Sequence, residues 1–430
     1  MSVCSPVKDA LSTEQVRLLC FLLFRQGIVS YRSIPRILTL FDATKNLNLT
    51  KVPHFTSVIN WTLRLGLGLL QQVKPQNEPW VAIMDHSIDV GTKKALVVLR
   101  VPMNIFYQRK GSVRLEDCEC VGLNISEIVN GKQIASALHS IFQKSGSPTL
   151  ILKDNDRTLN KGVTIWQKEQ QTSIPIVEDI SHVIAASMKK QFANTADYKR
   201  FTAFVSNSAK KLRQTKLFFL TPPKLRTKGR FLSIGKLGEW GEKILNIINK
   251  TDVNNKLSTK LKTIFAEKEK VIPFIHQFSK TAKIVSKVME KLKNKGLNRV
   301  TFSQCRRLIK QLPNNFILKK DLLDWLQRHF TIKKQVTRYS LHVSSDIIES
   351  LFGRFKYILE RNPQADMNRS TLLIPLLCGQ LNKTKIEQVF NQTKHKNLKE
   401  WEQNNISYTM RKKRSIFFDK IQPKIGDISG

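Results

Sequence analysis

Acidic residues are scarce in this chain: 33 Asp and Glu stand against 72 Lys and Arg, which leaves a formal charge of +39 over 430 residues. A field of that size repels cationic ligands and attracts polyanions. Nucleic acid is therefore the first partner to consider, and an anionic membrane is the competing polyanion.

Long hydrophobic runs are also missing. The longest early apolar run, Leu18 to Phe24, is too short to span a bilayer, and no secretory signal opens the sequence. We therefore expect no membrane partner. The hydrophobic content of 41% still suffices to bury the cores of roughly two to four domains.

Paired cysteine motifs are absent as well. The six cysteines lie at positions 4, 20, 118, 120, 305 and 378 with no CxxC spacing, which argues against a zinc site or a disulfide framework. A reducing, cytoplasmic compartment fits this usage. Cys118 and Cys120 flank Glu119 in an alternating stretch, so we expect both thiols to pack on one face of a strand.

The first 76 residues predict a helical domain. Apolar periodicity favours helices over residues 13–26, 30–42 and 56–72. Short helices ending in one that starts at Thr56 are typical of a helix-turn-helix DNA reader. The pattern leaves a second interpretation open, a small helical bundle that only docks on the next domain.

The pattern changes at the turn-forming cluster Asn77 to Pro79, which we take as a domain boundary. Short apolar or alternating runs predict strands at 80–84, 95–101, 117–123, 149–152 and 174–177, and residues 131–144 predict an amphipathic helix. This order indicates an α/β fold, a mixed sheet covered by helices, over residues 77–191.

The strand signal then disappears. Residues 192–339 are Lys-rich and helical in pattern, and we interpret them as an all-helical basic insertion. A strongly amphipathic helix lies in residues 340–375, assigned to the α/β core, and residues 376–430 predict a helical basic tail.

Two aspartates, Asp85 and Asp154, each directly follow a buried-strand run. A side chain in that position faces the cleft at the carboxyl end of the sheet. Carboxylates on adjacent strands suit Mg²⁺, which prefers hard oxygen ligands and keeps sites for water and phosphate. Asp156 and Asp89 are nearby competitors that we interpret as loop residues, because neither directly ends an apolar run.

Glu349 lies on the amphipathic helix after the insertion. Glu349, Gly353 and Lys356 share one side at i, i+4 and i+7, opposite an apolar side that includes Leu351 and Phe355. Gly353 leaves space for a phosphate backbone beside Glu349, and Lys356 offers that phosphate a point charge. Any one of the three carboxylates alone favours a structural role as a turn former or cap.

Taken together, these segments resemble the Asp-Asp-Glu transposases of bacterial insertion sequences, relatives of the retroviral integrase superfamily. The matching stretches are residues 80–86, 153–162 and 345–356, with a fourth match at Asp179-Ile180-Ser181-His182 to an Asp-x-x-His string. The resemblance covers roughly residues 78–190 and 340–375. It does not cover the insertion, which separates Asp154 from Glu349 by 195 residues.

The resemblance implies a ribonuclease H-like core in which Asp85, Asp154 and Glu349 hold two Mg²⁺ ions, with Mn²⁺ as a substitute. It also implies cleavage at transposon ends and strand transfer of the freed 3′ hydroxyl into target DNA. The partners would be double-stranded DNA and further copies of the chain, at least a dimer, in the bacterial cytoplasm or nucleoid. A nuclease or resolvase that cuts without joining, and an inactive transposase-derived DNA-binding protein, remain open.

Other residues are assigned supporting roles. Asp179 and His182 are interpreted as structural support for the site rather than direct metal ligands. Trp240 is considered for stacking on an unpaired base, ranked below core packing. We expect phosphate contacts, which position DNA without reading its sequence, from a basic set in the insertion. That set comprises Lys210, Lys211, Arg213, Lys224, Arg226, Lys228 and Arg230.

Overall fold

The computed structural model describes residues 11–44, 47–75, 77–90, 93–109, 111–126, 129–224, 234–250, 256–359, 368–406 and 414–418. The strands are β1 (Trp80–Val90), β2 (Lys93–Pro102), β3 (Glu119–Ser126), β4 (Leu150–Lys153) and β5 (Ile176–Glu178). The α-helices of these ranges are α1 (Thr13–Arg25), α2 (Ser33–Ala43), α3 (Phe55–Gln71), α4 (Met103–Gln108), α5 (Gly131–Ser145), α6 (Arg157–Glu169), α7 (Ile180–Phe192), α8 (Ala196–Arg213), α9 (Ile234–Lys250), α10 (Lys256–Ile264), α11 (Ile272–Lys295), α12 (Arg299–Lys310), α13 (Ile317–Val336), α14 (Asp346–Leu359), α15 (Leu373–Leu376), α16 (Lys383–Gln392) and α17 (His395–Asn405).

The five strands form one mixed sheet in the order β3-β2-β1-β4-β5. Strands β1, β4 and β5 are parallel, whereas β2 pairs antiparallel with both β1 and β3. The α/β class predicted from the sequence is confirmed. The order is compatible with the ribonuclease H-like core that the resemblance implies.

Strand β1 is longer than the sequence predicts. Its parallel pairing with β4 ends at Met84 and Lys153, but its antiparallel pairing with β2 continues through Asp85 to Val90. The expectation that the chain leaves the sheet at Asp85 is therefore wrong. A register shift between Asp85 and Ile88 marks a β-bulge there, and bulges re-aim side chains and increase twist.

Alternation along the strands divides the sheet into two faces. Trp80, Ala82 and Met84 pack with helices α5 and α6 in one apolar cluster. Val81 and Ile83 face the other way, into the larger core shared with α7 and the remaining helices. Because side chains alternate along a strand, Asp85 belongs to the second face.

The N-terminal helices pack against the chain's C-terminal part. Helix α3 contacts α15, α16 and α17 as well as β3, and eight of its residues are buried. A Cβ atom at Gly66 would overlap the carbonyl oxygen of Leu372, so this glycine permits the close approach. The buried residues of α3 run from Val58 to Leu69, so this part of the helix packs within the chain.

Helix α13, the last of the predicted insertion, covers the sheet edge at β5. His329 Nε2 accepts a hydrogen bond from the Glu178 N–H at 3.0 Å, and Trp325 Nε1 donates to the Glu178 carbonyl oxygen at 3.3 Å. The Arg328 guanidinium donates to the Glu178 carboxylate at 3.1 Å. These bonds pair backbone groups that an edge strand leaves open, so α13 is an integral part of the core.

Helices long and apolar enough to cross a membrane are absent from the described ranges.

The stability of this α13–β5 contact should depend on pH. Burial lowers the pKa of His329 from 6.5 to about 4, and the neutral ring donates from Nδ1 to the Trp325 carbonyl oxygen and accepts at Nε2. Because the pKa of His329 is lower in the folded protein than in the unfolded chain, the unfolded chain binds the proton more readily. The free energy of unfolding should therefore fall by an amount on the order of 3 kcal/mol as the pH falls from 6.5 toward 4. Urea unfolding across this window should show a steeper loss for wild type than for His329→Gln, whose amide accepts the same bond without titrating. Parallel pH curves would contradict this assignment.

Candidate active site

Asp85 and Asp154 lie side by side on the face of the sheet opposite helices α5 and α6. Met84 and Lys153 are partners in the parallel β1–β4 ladder, and each aspartate is the next residue along its strand. Because neighbouring strands are about 4.8 Å apart, the two side chains lie close together. Asp85 is buried, and one of its carboxylate oxygens accepts the His86 N–H at 2.6 Å.

The two carboxylates oppose each other electrostatically. Burial raises the pKa of Asp154 above its ordinary value of 3.8, and the charge of Asp85 raises it further. The N–H of Asp156, which donates to Asp154 at 3.2 Å, and the cationic charge of His182 act in the opposite direction. Two partly buried like charges favour a cation between them.

Asp179 joins the two segments that frame the site. Its Oδ1 caps α7 by accepting the N–H groups of Ser181 at 2.6 Å and His182 at 3.1 Å. Its Oδ2 accepts the N–H and the hydroxyl of Ser345 at 2.5 and 2.9 Å, one residue before α14. With both oxygens engaged by four donors, Asp179 fixes α14 against α7.

His182 holds the carboxylate of Glu349. Its Nε2 lies 2.9 Å from Glu349 Oε1, across 167 residues of sequence. This hydrogen bond raises the pKa of His182 to about 9, with burial opposing and Asp179 and Asp154 adding to the increase. At neutral pH the ring is therefore cationic and donates to Glu349.

Helix α14 presents the polar side that the sequence predicts. Leu351 and Phe355 are buried, whereas Glu349 and Gly353 are exposed and Lys356 is half-buried. No atom of the described chain lies within 4 Å of a Cβ built at Gly353. The helix thus has an open glycine one turn beyond Glu349.

The donor set suits a divalent cation in its chemistry. Asp85 and Asp154 carry hard carboxylate oxygens on neighbouring strands, and Glu349 is held near them through His182. As the side chains stand, no group of three or more His, Cys, Asp or Glu in the described ranges is arranged to hold a metal. A three-carboxylate set would require Glu349 to leave its hydrogen bond with His182.

Three residues beside the site, Lys153, His86 and Asp156, were not assigned to it from the sequence. Lys153 is buried on the opposite face of the sheet, where its Nζ donates to the Asp154 carbonyl oxygen at 3.3 Å and to Asn160 Oδ1. Burial lowers its pKa, with nearby carboxylates opposing. His86 Nε2 lies 3.4 Å from Asp156 Oδ1, and Asp156 caps α6 through the N–H groups at positions 158 and 159. A charged residue ending the apolar run 150–152 was the available signal for Lys153.

Only some of the residues predicted to contact phosphates lie in the described ranges. Lys210, Lys211 and Arg213 lie exposed in the last turn of α8, and Lys224 is exposed beyond it. Arg226, Lys228 and Arg230 lie outside the described residues.

Trp240 requires a correction. It is 8% exposed, packs against Phe204 and Phe265, and donates from Nε1 to the Leu220 carbonyl oxygen at 2.8 Å. The ring is a core residue of the insertion and is not available to stack on a base.

Comparisons with known proteins add little to this geometry. No protein-family model matches the chain, and no curated protein matches it. Among solved structures, it is similar to a chain of the Drosophila P element transposase strand transfer complex, with 11% identity, a TM-score of 0.43, and coverage of 86% of this chain and 92% of that chain. We take no function from a likeness of this size.

Replacing Asp179 should destabilise the protein more than replacing other caps. Asn at 179 has one acceptor, so its amide nitrogen must face either the α7 N–H groups or Ser345. We expect Asp179→Asn to lose on the order of 3 kcal/mol in metal-free denaturant unfolding. Ser345→Ala, which removes one of the four bonds, should lose about 1 kcal/mol. Asp156→Asn is the control, because Asn is an equally good N-cap. Equal losses for the two Asp→Asn variants would refute the bracing role of Asp179.

Proposed function

We propose that this protein is a DNA transposase, a metal-dependent enzyme with a ribonuclease H-like core that cleaves DNA at transposon ends and transfers the 3′ hydroxyl into target DNA. The observation that carries the proposal is the juxtaposition of Asp85 and Asp154 where the parallel pairing of β1 and β4 ends, beside the helix that bears Glu349. The formal charge of +39 supports DNA as the substrate.

In this proposal Asp85, Asp154 and Glu349 hold Mg²⁺, with Mn²⁺ as a substitute. The bound metal supplies Lewis-acid stabilisation of charge developing on the reacting oxygens. The remaining roles belong to the chain. Asp179 positions α14 through Ser345, and His182 holds the carboxylate of Glu349, which would join Asp85 and Asp154 if a metal bound. The open surface at Gly353 admits the DNA backbone beside Lys356.

The carboxylates can be tested one at a time. Asp85→Asn, Asp154→Asn and Glu349→Gln should each abolish Mg²⁺-dependent cleavage and joining, because each removes negative charge that attracts the cation while preserving side-chain size. DNA binding in a gel-shift assay should persist. Metal-free thermal unfolding of Asp85→Asn should show equal or slightly higher stability, since the repulsion on Asp154 is relieved.

Asp156→Asn is the matched control for this series. It is a neighbouring Asp→Asn change at a helix cap and should retain cleavage and joining. If Asp156→Asn is inactive while Asp154→Asn is active, the second aspartate is misassigned. If all four variants join DNA normally, the proposed site is wrong. Cleavage without joining by the wild type would favour a nuclease or resolvase.

Gly353 provides a test in which stability and activity change in opposite directions. Gly353→Ala should stabilise α14 by about 0.5 to 1 kcal/mol, because alanine is the better helix former and the added methyl meets no neighbour. Joining should nevertheless weaken, because the methyl narrows the approach of a phosphate backbone to Glu349. Thermal unfolding and a strand-transfer assay measure the two effects. Unchanged joining would remove the glycine from the DNA path.

A further inference from the structure

A cleft of about 650 Å³ opens between the end of α11, the start of α12 and the end of α13. Five of its lining residues are cationic and none is acidic: Lys295, Arg299, Lys333, Lys334 and Arg338. Across the described ranges, none of the five forms an ion pair with a carboxylate. We call this set the α12–α13 cleft.

Three of the five cations contact uncharged groups. Lys334 lies 5.0 Å from the centroid of the Phe330 ring, which stacks on Phe302. Lys333 donates to the Arg338 carbonyl oxygen at 3.2 Å, and the Arg338 guanidinium donates to the Tyr339 hydroxyl at 3.0 Å. These interactions leave the charges of Lys333, Lys334 and Arg338 unneutralised, so the cleft presents positive charge that attracts an anion.

The chain that leaves the cleft after Arg338 continues through Ser345 into α14, which carries Glu349. Leu297 and Leu341 form a two-bond bridge, and Gly296 permits it with a φ of +64°, since a Cβ there would lie 2.9 Å from the Leu341 carbonyl oxygen. Lys293, in the last turn of α11, pairs with Asp346 in the first turn of α14 at 2.7 Å. Between Leu341 and Asp346 lies Ser345, which Asp179 binds.

The exposure of the cations indicates the size of the ligand. Four of the five are exposed and Lys333 is half-buried, so the charge is spread around an open cleft. A small anion is normally fixed by a few convergent polar groups in an enclosed site. Spread, exposed cations instead match successive phosphates of a polymer, which they bind without reading its sequence.

We infer that the α12–α13 cleft binds the phosphodiester backbone of duplex DNA. The choice of DNA rests on the proposed function. The cleft lies outside the basic set predicted from the sequence, so it is a separate DNA-binding surface of the same chain.

The test compares two variants with the same change in charge. In the cleft variant, Lys295, Arg299, Lys333 and Lys334 are each replaced by Gln. In the control variant, Lys132, Lys144, Lys161 and Lys168 are replaced by Gln; these exposed lysines lie on α5 and α6, which cover the opposite face of the sheet. Binding to a fluorescein-labelled duplex of arbitrary sequence is measured by anisotropy in chelator between roughly 50 and 200 mM salt.

We expect the salt slope of the cleft variant to fall by about 0.9 for each phosphate that its side chains no longer neutralise, hence by about 2 to 4, with at least a tenfold decrease in affinity at the lower salt concentration. The control variant should change the slope by less than about 1. Equal changes in the two variants, or none in either, would overturn the proposal. Should the fourfold variant unfold, the double variant Lys295→Gln, Arg299→Gln gives the same comparison against Lys161→Gln, Lys168→Gln.

Failure of the cleft and failure of the proposed function are distinguishable. Mg²⁺-dependent cleavage by the wild-type chain is measured separately, on its own flanking DNA. If the wild type cleaves DNA but the two variants bind DNA equally well, the inference about the cleft is wrong and the proposed function stands. If the two variants differ clearly in DNA binding but the wild type does not cleave DNA, the strand-transfer function is wrong and the chain is a DNA-binding protein. A selective loss of single-stranded RNA binding, with duplex DNA binding unchanged, also overturns the inference.

Discussion

The carboxylate of Asp179 is the group on which the arrangement of this site depends. It accepts two bonds from the start of α7 and two from Ser345, so it joins chain segments on either side of the helices that separate them. The position of α14, and therefore of Glu349, follows from this junction together with the apolar packing of Leu351 and Phe355. A single buried acceptor sets the geometry because each of its bonds is charge-assisted.

The site combines opposite electrostatic requirements. The protein as a whole is strongly cationic, but Asp85 and Asp154 concentrate negative charge where the parallel β1–β4 pairing ends. Long-range attraction can thus bring a polyanion to the surface while the local carboxylates attract a metal cation. His182 moderates the local repulsion by pairing with Glu349. The arrangement sacrifices stability where function is proposed to reside.

The positions of Asp85 and Asp154 on neighbouring strands could be predicted from the sequence, whereas much of their surroundings could not. Asp154 follows its strand as expected, because a short apolar run with a charged end has few other structural solutions. The predicted path at Asp85 was wrong, since a single-strand pattern carries no information about how far the antiparallel partner β2 extends. The burial of α3 depends on residues more than 300 positions away, such as Leu372, and local periodicity cannot identify that partner. The α12–α13 cleft was missed for the same reason, because its cations come from three helices and form a group only through tertiary packing.

The hydrogen bonds of α13 to Glu178 and the Leu297–Leu341 bridge determine where the chain can tolerate changes in length. Helices α11, α12 and α13 are tied to α7, β5 and α14, whereas α9 and α10 pack mainly on α8 and α11. Lengthening a flexible connection costs only about 0.6 kcal/mol for each doubling of its length, provided that its ends stay fixed. Changes in the length of the connections between α8 and α11 that keep the buried α9 residues, such as Trp240, in place should therefore leave the position of Glu349 unchanged.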